Sequence, residues 1–193
     1  MFENLLQLIV LFVVIIDPLA SFAVFAVATD PMKDAERRRT AFLAIAVAAI
    51  ISGLVLFAGE RLLELFNTDI QNFKVAGGII LLIFGIQMSL GMSLFKVEEK
   101  EGSSTAAIAS IIATPLLTGP ATISTIIITS HDYGVLCTGI AIAIVLAFSA
   151  GLLLLSARIS HKIGKMPIQV MSTIMGLITL AWGIMFIRDG LGF

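Results

Sequence analysis

The sequence predicts an all-α membrane protein with six transmembrane helices, arranged as two inverted-topology repeats of three helices each. Three observations support this fold class. The 193-residue chain is 59% hydrophobic and its mean hydropathy is +1.08, far above the range of soluble domains, whose surfaces must face water. Long apolar runs recur along the chain, and its two halves resemble each other.

Six apolar runs are long enough to cross a bilayer, which takes about 20 residues per helix. Among the Asp, Glu, Lys and Arg residues, only Asp17 falls inside these runs. The connecting segments are short, so no separate soluble domain is expected. A large buried helical core is disfavoured, because no polar shell remains to cover it. The predicted spans are 4–27, 41–59, 75–95, 105–129, 134–157 and 168–187.

The distribution of Lys and Arg predicts the orientation, since cytoplasmic loops of membrane proteins are enriched in both residues. Nine of the 12 basic residues lie in the segments 28–40, 96–104 and 158–167. The other three are Arg61, Lys74 and Arg188. We therefore expect a multi-pass protein of the plasma (cytoplasmic) membrane with both termini on the non-cytoplasmic side. The N-terminal MFENLLQ lacks a basic segment, so no cleavable signal peptide is expected.

Several function classes find no support in the sequence. The net charge of −1 provides no basic field for nucleic acid. Neither His131 nor His161 has a second His or Cys at metal-ligand spacing, and the chain has no phosphate-binding GxxxxGK loop. No nucleophile–base pair lies within the spans, and Cys137 is the single cysteine. We expect no enzyme activity, no metal and no cofactor.

An internal repeat relates the two halves of the chain. Residues 1–95 form the first three-helix repeat, 96–104 a polar linker and 105–193 the second repeat. Because three spans are an odd number, the second repeat must cross the membrane in the opposite sense, a plan that recurs in secondary transporters. The aligned pairs include Gly53 with Gly151, Gly78 with Gly176, Gly85 with Gly183, and Asp17-Pro18-Leu19 with Thr114-Pro115-Leu116.

Prolines in the first and fourth spans predict that both helices are broken near the bilayer midplane. A proline lacks the N–H that an earlier carbonyl needs, and Asp-Pro or Thr-Pro is typical of a helix start. The second half-helix should begin near Pro18 in the first span, and near Pro115 or Pro120 in the fourth. A plain structural kink is the alternative interpretation.

The two breaks together predict a substrate site. Helix N-termini carry free N–H groups and partial positive charge, which suit a carboxylate. Asp17 could receive an ammonium group or the coupling ion, a proton or sodium, although a capping carboxyl without a ligand is the simpler interpretation. Backbone N–H groups near Ala20–Ser21 and Gly119–Ala121 would hold the carboxylate. The predicted site residues are Asp17, Pro18, Ala20, Ser21, Thr114, Pro115, Thr118, Gly119, Pro120, Ala121 and Thr122.

The motifs DPL at 17–19, GGIILLIFGI at 77–86 and PLLTGPATI at 115–123 resemble those of the MarC family of integral membrane proteins over essentially the whole chain. The resemblance implies a SnatA-like secondary carrier of small neutral amino acids such as glycine and alanine, driven by an ion gradient. Family members commonly have DPLG, and Ala20 replaces that glycine here. The added methyl group is expected to narrow the site.

The sequence therefore predicts alternating-access transport of small neutral amino acids of the glycine, alanine and serine class, coupled to protons. Alternatives are an exporter of other small metabolites or drugs, a channel, and a non-transporting membrane partner protein. A drug site is disfavoured because Tyr133 and Trp182 are the only large polar aromatics. The substrate, the coupling ion, the direction of transport and homo-oligomerisation stay open.

Overall fold

The described chain is all-helical. The computed structural model describes residues 2–30, 32–65, 67–91, 117–159 and 165–193, and this part contains no strand. The helices are α1 (Phe2–Ile16), α2 (Pro18–Ala28), α3 (Asp34–Leu65), α4 (Ile70–Ser89), α5 (Pro120–Tyr133), α6 (Val135–Ile159) and α7 (Lys165–Leu191).

Five stretches of the described residues are helical, long and apolar enough to cross a membrane: Glu3–Ala28, Asp34–Leu65, Ile70–Ser89, Val135–Ser156 and Pro167–Leu191. Their outer surfaces are apolar as well. Phe42 and Phe57 on α3 are 72% and 74% exposed, which suits a surface in contact with lipid rather than water. The protein is thus an integral membrane protein that crosses the bilayer several times.

The fourth predicted span, 105–129, is covered only in part. Residues 105–116 and the linker at 96–104 lie outside the described residues. The described portion contains α5, whose 14 residues are too few to cross a bilayer alone.

Helices α3 and α4 differ at both ends from the apolar runs that predicted them, 41–59 and 75–95. Helix α3 extends beyond 41–59 in both directions. Its ends carry charged residues, which can be helical outside the hydrocarbon but do not belong to an apolar run. Helix α4 begins at Ile70, where Asp69 caps it by accepting from the Asn72 N–H at 2.7 Å. It ends at Ser89 instead of residue 95. Gly91 follows with φ +67°, the left-handed conformation typical just after a helix end.

Helices α4 and α7 form the most extensive contact of the described chain. They pack antiparallel through glycines. A Cβ added at Gly78 would lie 2.6 Å from the carbonyl oxygen of Gly183, and one added at Gly85 would lie 2.8 Å from that of Gly176. No side chain fits between the backbones at these crossings, so the two helices are in direct backbone contact.

The other helices pack around a hydrophobic core to which α4 and α7 also contribute, through Leu81 and Phe186. Helix α6 packs against α1, α2, α3 and α5, and α5 also contacts α3 and α4. The side chains of Phe12, Phe22 and Phe25 are almost fully buried there. Contacts of α5 involve side chains: a Cβ at Gly59 would meet Ile127, and one at Gly77 would meet Ile128 and Ser124.

One ion pair and one side-chain hydrogen bond join the C-terminal turn of α5 to its neighbours. Lys74 Nζ on α4 lies 2.8 Å from Asp132 Oδ2. On the adjacent residue, His131 Nδ1 lies 3.1 Å from Glu60 Oε1 on α3. The Lys74 side chain is only 12% exposed, so this pair is better shielded from water than the half-exposed His131–Glu60 pair.

The backbone contact between α4 and α7 predicts the effect of adding one methyl group. Gly78→Ala should lower the free energy of unfolding by about 1–3 kcal/mol or more, because both partners at the crossing are backbone atoms that cannot move aside. The control is Gly53→Ala, since a Cβ there meets nothing within 4 Å. Unfolding in detergent, followed by circular dichroism, measures both. Equal stability of the two variants would contradict the packing described.

Candidate functional site

The first span is interrupted at a single residue, Asp17. Helix α1 ends at Ile16 and α2 begins at Pro18, while Asp17 adopts φ 41° and ψ 72°. Asp tolerates this left-handed conformation better than most residues because its short polar side chain can bond locally. The proline lies at the first helical position, where its missing N–H is least costly. The sequence thus starts a helix inside an apolar span.

The Asp17 side chain caps α2. Its Oδ1 accepts from the Ala20 N–H at 3.2 Å, the usual geometry of an N-cap. In a continuous helix that N–H would bond to the carbonyl of Ile16. Here the Ser21 hydroxyl donates to the Ile16 carbonyl at 3.3 Å instead. Because hydrocarbon provides no hydrogen bonds, this exchange matters: both the Ala20 N–H and the Ile16 carbonyl keep a partner within the protein.

The second carboxylate oxygen of Asp17 reaches across to α7. The hydroxyl of Ser172 donates to Asp17 Oδ2 at 2.7 Å. Asp17 is 4% exposed, so this bond lies in a buried environment and ties the interruption in the first span to a helix of the chain's second half. Sequence reasoning missed Ser172. The available signal was that it is the only serine in the predicted span 168–187.

The N-terminus of α5 is built differently. Gly119 is the N-cap in an extended conformation and has no side chain to cap the helix, and Pro120 follows at the first helical position. Ala121 and Thr122 are 4% and 2% exposed. The first turn of α5 is therefore buried without the side-chain cap that Asp17 gives α2. Such an end favours a negatively charged group.

Most hydroxyl groups along α5 bond to their own helix. The side chains of Ser124, Thr125 and Thr129 donate to the carbonyls of Pro120, Ala121 and Thr125 at 2.7–2.8 Å. Among the described residues, the structure gives no such bond for the buried Thr122. Thr122 is accordingly the α5 hydroxyl best suited to meet a ligand at this helix end.

The structure accounts for the predicted site residues in three groups. Asp17, Pro18, Ala20 and Ser21 lie together at the start of α2, where the Ala20 N–H is engaged by Asp17 and the Ser21 N–H by the Asp17 carbonyl. Thr118, Gly119, Pro120, Ala121 and Thr122 lie together at the start of α5, all buried except Pro120. Thr114 and Pro115 lie outside the described residues.

The two groups lie on helices that contact each other, because α5 packs against α1, which ends directly before Asp17. Ile15 and Ile16 of α1, Leu117 and Ala121 all belong to the hydrophobic core of the described residues. Within the described residues, no group of three or more His, Cys, Asp or Glu could hold a metal ion. The use of these residues as a substrate site stays a prediction.

A comparison with known families identifies the chain's relatives. A family model described as "MarC family integral membrane protein" matches residues 2–192. The chain belongs to the MarC family. The resemblance carried by the DPL and PLLTGPATI motifs is thereby confirmed, together with the integral membrane location.

Curated relatives of this MarC family chain come from distant organisms. It is 31% identical to the UPF0056 membrane protein YhcE of Escherichia coli, covering 92% of this chain and 86% of that protein. It is also 31% identical to the UPF0056 membrane protein YvbG of Bacillus subtilis, covering 99% and 95%. A UPF0056 membrane protein of Buchnera aphidicola is 32% identical over 92% of this chain and 87% of its own length. No solved structure matches the chain.

The bond between Ser172 and Asp17 predicts a measurable coupling in this MarC family protein. Ser172→Ala should lower the free energy of unfolding by about 1–2 kcal/mol, because a buried carboxyl oxygen loses its partner in another helix. Ser149→Ala is the control, since the Ser149 hydroxyl bonds only to the Val145 carbonyl of its own helix. Unfolding of Ser172→Ala, Asp17→Ala and the double variant gives the interaction energy, because alanine at either position removes the bond. Strictly additive effects would contradict the bond.

Proposed function

We propose that this protein is a secondary carrier of small neutral amino acids that works by alternating access and is coupled to protons. The observation that carries the proposal is the buried carboxyl of Asp17 at an interruption in the first span. Acidic residues within membrane spans are costly and mark ion or substrate pathways more often than structural sites. Membership in a family of integral membrane proteins agrees with a role in membrane transport. The amino acid substrate class is our inference.

The substrate carboxylate would bind at the start of α5 rather than at the start of α2. The Ala20 N–H already donates to Asp17 Oδ1, so the α2 end is occupied by the chain's own acid. The α5 end has no side-chain cap, and the Thr122 hydroxyl lies in its first turn. Glycine, alanine and serine are small enough for a site among buried Ala121, Thr122 and Leu117 side chains.

Asp17 would receive the coupling proton or the substrate ammonium. A carboxylate offers about four acceptor positions, and two of those on Asp17 are used by Ala20 and Ser172. The remaining positions allow a further donor without loss of the cap. A zwitterion between Asp17 and the α5 end would place each of its charges opposite a complementary one.

The inverted repeat belongs to the same proposal. When the two halves of the chain are aligned with each other, Gly78 corresponds to Gly176, and Gly85 to Gly183. In the packing, Gly78 contacts Gly183 and Gly85 contacts Gly176. If each glycine is replaced by its equivalent in the other repeat, the Gly78–Gly183 contact becomes the Gly176–Gly85 contact. This is the relation expected of two units related by a twofold axis. Because α4 and α7 run antiparallel, such an axis would lie in the membrane plane, as an inverted-topology repeat requires.

The test of coupling is Asp17→Asn in proteoliposomes. Asn caps helices as well as Asp and tolerates the same left-handed backbone, so the variant removes the titratable group and keeps the fold. We expect uphill accumulation of alanine under a pH gradient to fall to the passive level, while exchange of labelled for unlabelled alanine persists. A sodium gradient applied in parallel identifies the ion. Undiminished accumulation in the variant would remove Asp17 from the coupling role.

The test of the binding end is Thr122→Val, which removes a hydroxyl and keeps the shape. We expect KM for alanine uptake to rise about five- to tenfold, the effect of losing a hydrogen bond of about 1 kcal/mol. Thr125→Val is the matched control, because its hydroxyl bonds to the Ala121 carbonyl within α5. An unchanged KM in Thr122→Val, or an equal rise in both variants, would place the substrate elsewhere.

A further inference from the structure

A groove lies on the outer surface between α3 and α6, away from Asp17 and the start of α5. It is lined by Arg38 of α3 and by Gly151, Leu154 and Leu155 of α6, and its volume is about 350 Å³. One side of the groove is thus cationic and the other side is aliphatic. Leu154 and Leu155 are 49% and 44% exposed, so the aliphatic side faces outward.

The two neighbouring arginines of this region have different surroundings. Arg37 is buried, and its Nε and Nη2 donate to the Thr29 carbonyl at 3.3 and 2.8 Å, which joins the end of α2 to the first turn of α3. Successive residues of a helix point about 100° apart. Arg38 consequently faces outward into the groove, and it forms no ion pair with any of the described residues. Its charge is available to an external partner.

The position of Arg38 along α3 matches the depth of lipid headgroups. Helix α3 has 32 residues and is therefore about 48 Å long, whereas the hydrocarbon core is about 30 Å thick. Each end of a centred α3 would project roughly 9 Å beyond the hydrocarbon. Arg38 lies four residues from the start of the helix, about 6 Å along its axis, and so at the level of the phosphate groups.

Gly151 provides the space for the groove. A Cβ at this position meets nothing within 4 Å, so no packing contact inside the protein requires a glycine there. Gly53, its counterpart in the aligned repeat, is equally free of neighbours. Any larger side chain at residue 151 would fill the space between Arg38 and the leucines.

We propose that this groove binds one anionic phospholipid, with the phosphate on the Arg38 guanidinium and an acyl chain along Leu154 and Leu155. Charge complementarity selects an anionic headgroup, since a zwitterionic lipid would bring its own ammonium group close to the guanidinium. Guanidinium groups bind phosphate oxygens through two parallel N–H donors. The aliphatic side selects a lipid over free phosphate. This inference is independent of the proposed transport.

The experiment is native mass spectrometry of the full chain released from nanodiscs that contain equal amounts of phosphatidylglycerol and phosphatidylcholine. The wild type should retain phosphatidylglycerol in preference. Arg38→Gln should lower its retention about tenfold, the change expected from losing one charge-assisted contact. Gly151→Leu should lower it to a similar extent by filling the groove, and should fold normally because the added side chain meets open space.

Two controls match these variants. Arg39→Gln removes the adjacent exposed charge, and Gly53→Leu adds the same bulk at the equivalent repeat position. Both should retain phosphatidylglycerol as the wild type does. Equal retention in Arg38→Gln and Arg39→Gln, or in Gly151→Leu and Gly53→Leu, would overturn the site. Inorganic phosphate serves as the test of the occupant. If it raised the thermal stability of the protein as much as phosphatidylglycerol does, and if Gly151→Leu left that effect unchanged, the occupant would not be a lipid.

Discussion

The absence of hydrogen-bonding solvent in a membrane governs the arrangement around Asp17. Every polar group within an apolar span must find its partner in the protein. Asp17 satisfies this constraint with both oxygens, one on the Ala20 N–H and one on the Ser172 hydroxyl. The first bond is local and starts α2. The second joins the first span to α7, so one side chain determines both where a helix begins and which helix of the other half lies beside it.

The helix contacts of α4 with α7 differ from those of α5 in how easily they can rearrange. Helices α4 and α7 touch backbone to backbone at Gly78 and Gly85, where a displacement of even 1 Å would create a clash or a void. Helix α5 instead meets its neighbours through the side chains of Ile127 and Ile128, and through the Lys74–Asp132 and His131–Glu60 contacts at its C-terminal end. In the proposed alternating-access cycle, the α4–α7 pair is therefore the better candidate for a fixed unit, and α5 for a part that shifts.

The sequence was sufficient for features that depend on local chemistry. Hydropathy located five of the six predicted spans. The prolines indicated helix starts, because a proline is tolerated in the first turn of a helix: α2 begins at Pro18, and α5 begins at Pro120, one of the two prolines predicted for the fourth span. Features that depend on tertiary contacts were not accessible. The repeat alignment makes Gly78 and Gly176 equivalent positions, but it does not show that Gly78 packs against Gly183. Ser172 carried no motif, and its role follows only from the position of α7 against Asp17. Breaks at the bilayer midplane remain a prediction.

The partners of Asp17 also determine how a proton could be accommodated there. A carboxylate only accepts hydrogen bonds, whereas a protonated carboxyl must donate one. The Ala20 N–H can donate to Oδ1 in either state, so the helix cap is preserved when the charge is lost. Ser172 can serve both states as well, because a hydroxyl that donates to a carboxylate can rotate and accept from a carboxylic acid. A backbone N–H at this position could not reverse its role. The choice of a serine on α7 thus allows Asp17 to gain and release a proton without leaving a buried polar group unpaired, which is the property that a coupling acid within a membrane requires.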